Sequence, residues 1–274
     1  MRQWVDLKRP LFILSVFLVC TEISLAAELR RETIDAFESY IASTETRMEP
    51  RFRGDRFLWP DESPQLKEQL LRGSIVVKPS QGNGIVAIKG GLIEDWMGVV
   101  FIPNANLKTV LSTVQDYDHH GEIYKPDIAV AKIQTHVGND FLVYMRLVKA
   151  KFFLSDVLNS EHAIQFIPLD ATRVYSRSRS KRIAEVSEVG KPGEHELPVG
   201  QDRGLLWRMY GYWFFEEKDG GVYVACQSVT LTRDIPFVMA KLLSPIIHEL
   251  PAEQVRNALE KTRKAVVSAV DAKP

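Results

Sequence analysis

The chain reads as an α+β protein, an antiparallel sheet with helices on one face and a long helix at the C-terminus. Three observations predict this. Strand-like segments follow one another between Asp127 and Arg233, joined by turns and one polar loop rather than by helices. The last two are linked by Lys218-Asp219-Gly220-Gly221, whose Asp-Gly pair favours a tight hairpin. After them, Val255, Leu259, Thr262, Val266 and Val270 recur at spacings of three and four, opposite Arg256, Glu260, Lys261, Arg263 and Lys264. A helix striped in this way needs an apolar surface to lie against, and the strands supply one.

The first residues stand apart. Arg2, Lys8 and Arg9 precede an uncharged apolar run, Leu11 to Cys20, and Ser24 and Ala26 occupy small-residue cleavage positions. This predicts a signal peptide over residues 1–26, cleaved after Ala26, and a secreted or periplasmic mature chain. The run falls short of the roughly 20 residues that span a bilayer, which disfavours an uncleaved anchor. Bulky Val19 before Cys20 disfavours a lipoprotein. Removing residues 1–26 leaves 32 basic and 33 acidic side chains, so charge gives no case for nucleic acid as a partner. Only Cys226 then remains of the two cysteines, so no internal disulfide can form and stability must come from the core.

Residues 27–72 form a helical N-terminal extension, and 73–274 the main domain. In the extension, Ile34, Phe37, Tyr40 and Ile41 stand at helical spacing. Residues 49–64 interleave Arg51, Arg53 and Arg56 with Phe52, Phe57 and Trp59, a connector pinned by its aromatics. Pro64 to Arg72 is a short helix ended by Gly73. Ser74–Lys78 and Ile85–Lys89 flank the turn-rich SQGNG as a hairpin candidate, and residues 91–103 form a longer strand. Asn104 or Asn106 caps a helix whose stripe is Leu107, Val110, Leu111 and Val114. A polar connector, DYDHHGEIYKP, leads to strands at 127–137, 140–151, 157–167 and 172–186. A long polar loop, 187–204, precedes the final hairpin of 205–217 and 222–233. Pro236 and Pro251 each suit a first helical turn, which predicts two successive C-terminal helices.

This order resembles the START-like (SRPBCC, helix-grip) superfamily over residues 91–269. The resemblance is carried by GLIEDWMGVVFIPNANLKTVLSTVQDYDHH, by YKPDIAVAKI, and by GYWFFEEKDGGVYVACQSVTLTRDIP feeding the C-terminal helix. It implies a curved antiparallel sheet wrapped around that helix, with an apolar cavity between them. The superfamily holds carriers, cyclases and receptors, so the fold selects no single function.

No motif for covalent, cofactor or metal chemistry is present, and none is expected. His119 and His120 are adjacent and point about 100° apart on a helical turn, so they read as a solvated turn rather than a metal site. Cys226 alternates with Val222 and Val224 and reads as buried and structural. The ligand-binding candidates are polar or aromatic residues that strand alternation could aim into a cavity: Trp96, Tyr144, Arg146, Tyr175, Arg177, Trp207 and Tyr212. On 140–151 one face carries Tyr144 and Arg146, the other Phe141, Val143, Met145 and Leu147, and the pattern does not choose between them. On 172–186, Tyr175, Arg177, Arg179 and Lys181 oppose Ser176, Ser178 and Ser180, with the basic residues favoured for solvent. On the last hairpin, Trp207, Met209, Gly211, Trp213 and Phe215 oppose Tyr210, Tyr212 and Phe214. Gly211 suits a bend.

The expected function is carriage or sensing of a hydrophobic small molecule, with a membrane surface as one place for its exchange. A cofactor-independent cyclase or isomerase, using Glu94 or Asp95, is the alternative from the enzyme class. An envelope interaction module with a filled cavity is the third.

Overall fold

The computed structural model describes residues 27–151, 154–202, 206–233 and 237–272. The expected signal peptide lies outside them. A two-residue strand β1 (Ala27–Glu28) leads into α1 (Arg31–Arg53). A 3₁₀ turn at Trp59–Glu62 and α2 (Pro64–Leu71) follow, α2 capped by the Ser63 hydroxyl, which accepts from the Leu66 amide. Next come β2 (Val76–Pro79), β3 (Ile85–Ile88) and β4 (Gly91–Pro103). Helix α3 (Leu107–Val114) is capped by Asn106, whose Oδ1 accepts from the Thr109 amide at 2.8 Å. A 3₁₀ turn and the short α4 (His120–Ile123) connect to β5 (Ile128–Val137), β6 (Asp140–Lys151), β7 (Leu154–Pro168) and β8 (Arg173–Ser187). The polar loop holds β9 (His195–Glu196) and β10 (Gln201–Asp202). The chain ends with β11 (Arg208–Lys218), β12 (Gly221–Thr232) and α5 (Phe237–Asp271).

The main sheet is antiparallel and curved, in the order β2-β4-β12-β11-β8-β7-β6-β5. The order differs from the expected hairpin at 74–89. Both β2 and β3 pair with β4, β2 along Trp96–Val99 and β3 along Gly91–Glu94, so they lie end to end on one edge. The expected DG turn is present: Asp219 and Gly220 both have positive φ, as a tight two-residue hairpin requires. The C-terminus also differs. One continuous helix runs through Pro251, although an interior proline removes a hydrogen bond and costs on the order of 3 kcal/mol. Among the described residues no helix is long and apolar enough to cross a membrane.

Strand alternation divides the sheet into two buried faces. The inner face, toward α3, α4 and α5, packs Val100, Ile102, Val143, Ile164, Phe215 and Val224 against Val110, Val255, Leu259 and Val266. The expected stripe on α5 is buried as read, with Val255, Leu259, Thr262 and Val266 all inside. The outer face packs Ile93, Val99, Tyr212, Phe214 and Tyr223 against Phe37, Ile41, Phe57 and Leu70 from the N-terminal segment. Helices therefore cover both faces rather than one.

The outer layer is fastened by polar bonds. Tyr212 and Arg179 donate to Glu45 at 2.9 and 2.6 Å, and Tyr210 donates to Glu38 at 2.7 Å. Tyr40 donates to Asp95 at 2.8 Å, and Gln227 donates to the other Asp95 oxygen at 2.6 Å. Burial holds the Asp95 carboxyl above its ordinary pKa, against the pull of these hydrogen bonds. Tyr40→Phe leaves Asp95 short of one donor, and a loss of about 1–2 kcal/mol is expected in urea denaturation. An unchanged midpoint would mean that water replaces the phenol without penalty.

Candidate functional site

Between the inner face and α5 lies a cavity of about 250 Å³. Its walls come from several elements. The sheet contributes Met145, His162, Ile164, Phe166, Ser176, Ser178, Met209, Trp213 and Cys226. Tyr117, His120 and Tyr124 come from the α3–β5 connection, and Val255 and Ala258 from α5. A larger hollow of about 590 Å³ runs outside, between α2 and the end of α5. It is lined by the exposed Leu71 and Val267, and it encloses nothing.

Local geometry explains the space. Gly211 sits in mid-strand on the cavity wall, paired without interruption to Ser178 on one side and Ser228 on the other. The pairing carries no bulge there, and a Cβ would meet nothing closer than 3.9 Å. The missing side chain is thus room on the cavity wall, with the small Ser176 and Ser178 beside it. By contrast, Gly98 on β4 lets α5 approach. A Cβ there would lie 2.7 Å from Val255 Cγ1 and 2.8 Å from Leu259 Cδ1.

The polar groups of the wall are held by the protein. His120 Nε2 lies 3.1 Å from the Val114 carbonyl, which can only accept, so this nitrogen carries the proton. His162 Nε2 lies 3.1 Å from Ser160 Oγ, whose own proton goes to the Met145 carbonyl. That nitrogen is therefore protonated too. Tyr124 donates to Thr262 Oγ1 at 2.9 Å, because the Thr262 proton is committed to the Ala258 carbonyl. Burial pushes both histidines down to about 4, leaving them neutral near pH 7. Burial pushes the Tyr124 phenol and the Cys226 thiol each up to about 12, and the Tyr117 phenol further. Cys226 is a protonated thiol in an apolar wall, as its strand position suggested.

The seven candidates from the sequence lie off this wall. Tyr175 and Tyr212 belong to the outer core beneath α1, where Tyr175 packs on Phe52. Trp207 is in the same core and donates to Asp202 at 3.0 Å. Arg177 is exposed and donates to Gln165. Tyr144 donates to Asn159 and Arg146 pairs with Glu194 at 3.0 Å, both on the face of β6 opposite Val143 and Met145. Trp96 is on the inner face but packs over Gly84, beside the cavity rather than around it. The enzyme alternative's carboxylates are elsewhere as well: Glu94 accepts from Thr230 and Asp95 is turned outward.

The residues that do form the wall carried weaker signals. His162 alternates with Ile164 and Phe166, and Ser176 with Ser178, but each pattern suits plain core equally. Of the adjacent histidines, His119 is exposed and bonded to Asp116, whereas His120 turns inside, contrary to a wholly solvated turn. Among the described residues no cluster of His, Cys, Asp and Glu could hold a metal ion.

The chain matches no protein-family model and no curated protein. Among solved structures it is similar to a STAR-related lipid transfer protein from Xanthomonas axonopodis, at 15% identity and a TM-score of 0.45, covering 71% of this chain and 98% of that one. It is also similar to human STARD10, at 8% identity and a TM-score of 0.39, covering 69% and 76%. A third is the Zhui aromatase/cyclase from Streptomyces sp. R1128, at 14% identity and a TM-score of 0.38, covering 65% and 91%. Strand order and helix placement themselves give the fold. It is a helix-grip arrangement, a curved antiparallel sheet around the C-terminal helix, as expected from the sequence. No specific family within that fold is assigned.

Proposed function

We propose that the protein is exported and binds a hydrophobic small molecule between the sheet and α5. One observation carries the reading. The wall is chiefly apolar and aromatic, and its two histidines and Tyr124 have their donors already committed to the protein. Such a surface gains affinity by burying apolar area, at about 25 cal/mol per Å², and uses one or two polar groups for orientation. The cavity lies just below the roughly 300–1,000 Å³ common for ligand pockets, which favours a compact ligand or a single chain over a two-chain lipid.

The test is to fill the cavity without disturbing the fold. Gly211→Leu is expected to place its side chain in the space beside Ser178 and abolish ligand retention in native mass spectrometry, with the melting temperature kept. Protein that emerges ligand-free, and whose melting temperature no lipid or quinone raises, would count against the reading. Export is tested by the intact mass of the mature protein, expected to begin at Ala27. A mass that includes Met1 overturns it.

A further inference from the structure

We propose that the ligand is uncharged and carries a hydroxyl group, and that ionised lipids are excluded. This rests on the reading above that the cavity binds a ligand at all. Among the described residues, the cavity wall contains no Asp, Glu, Lys or Arg. Lys261, whose ammonium reaches the Tyr124 carbonyl behind the wall, is committed to Asp127. An ionised carboxylate or ammonium placed here would lose its hydration and meet no counter-charge.

The tautomers sharpen the choice. With Nε2 of both His120 and His162 protonated and bonded, each ring is left with Nδ1 as a bare acceptor. Neither Nδ1 has a protein donor among the described residues. An anionic oxygen placed beside either Nδ1 would meet a lone pair, which repels it. A hydroxyl instead donates to an imidazole nitrogen and can accept from a wall hydroxyl. Tyr117, buried and without a hydrogen-bond partner among the described residues, is one such donor, and Ser176 and Ser178 stand on the sheet wall, on the strand next to that of His162. The cavity thus has the polarity of an alcohol or phenol site.

Three probes with one alkyl chain separate the possibilities: decan-1-ol, decanoic acid and decylamine, titrated calorimetrically into the full-length mature protein at about pH 7.5, where acid and amine are ionised. Decan-1-ol is expected to bind at least about tenfold more tightly than either ion. The apparent affinity for decanoic acid is expected to rise close to tenfold per unit as pH is lowered toward 6, since only its neutral form enters. Gly211→Leu is expected to remove binding of all three. Decanoate binding as tightly as the alcohol, with no pH slope, overturns the proposal while leaving the cavity a ligand site. Binding that survives in Gly211→Leu overturns it too, by placing the ligand elsewhere. Failure of all three probes to bind overturns the parent reading and this inference with it.

Discussion

Gly98→Leu is expected to cost about 3 kcal/mol or more and to loosen α5 from the sheet. At Gly98 the strand β4 passes directly beneath the helix, and no space exists for even one carbon. A Cβ would stand 2.7 Å from Val255, 2.8 Å from Leu259 and 3.1 Å from Val77. Relief by movement is blocked. Val255 and Leu259 are fully enclosed, and β4 is pinned between β2 and β12 by hydrogen bonds on both edges. The helix must therefore lift, and the cavity wall formed by Val255 and Ala258 lifts with it. Denaturation midpoints and ligand retention should fall together. The contrast with Gly211, where a methyl group fits, makes the pair informative: two mid-strand glycines of the same sheet, one for close approach and one for space. Equal tolerance at both positions would show that α5 does not rest on Gly98 as described.

The second large effect is acid sensitivity. His120 and His162 ordinarily titrate near 6.5, and burial lowers both to about 4. Because the folded pKa lies below the unfolded one, the unfolded chain takes up protons first as pH falls. Stability is intact above 6.5 and is lost between 6.5 and 4, at a slope approaching 1.4 kcal/mol per unit for each histidine. From pH 7 to 5 the two together remove about 4 kcal/mol. Asp95 works in the opposite sense: its pKa is raised, chiefly by burial, so the folded state gains from its protonation and offsets part of the loss. Comparing urea midpoints of the wild type and His162→Gln isolates the histidine. The variant keeps a donor for Ser160 yet has nothing to titrate, so its loss from pH 7 to 5 is expected to be smaller by about 2 kcal/mol. Identical pH profiles would sink the argument that His162 is enclosed and neutral.

How much of this was legible beforehand differs by level. The strands at 128–137 and 140–151, the Asp219-Gly220 hairpin, the Asn106 cap and the α5 stripe are all local patterns, and each stands where periodicity and turn chemistry put it. Tertiary partners overrode local signals at β2 and β3, whose tight-turn residues suggested a hairpin, and at Pro251, which suggested a helix start. At the sheet edge β4 is the longer partner for both strands, β3 folding onto it across the two-residue Lys89-Gly90 turn and β2 pairing beyond it.

The site itself was legible only in halves. Strand periodicity determined from sequence alone which side chains travel together: Met209, Gly211, Trp213 and Phe215 as one set, Tyr210, Tyr212 and Phe214 as the other, and likewise the serines against the arginines of β8; Trp207, expected with the first set, precedes the strand and joins the second. Which set faces a cavity is not a property of a strand. It depends on which helix lies over each face, and here apolar helices lie over both. Docking of α1 on the outer face absorbed Tyr175 and Tyr212 into a second core, where Glu45 accepts from the Tyr212 hydroxyl. The inner face was left to α5 and to a space walled by neutral groups. The sequence by itself determined the strands, their alternation and the gripping helix. Only the tertiary structure decided which half of each alternation meets the cavity, because that choice is made by packing partners more than a hundred residues away.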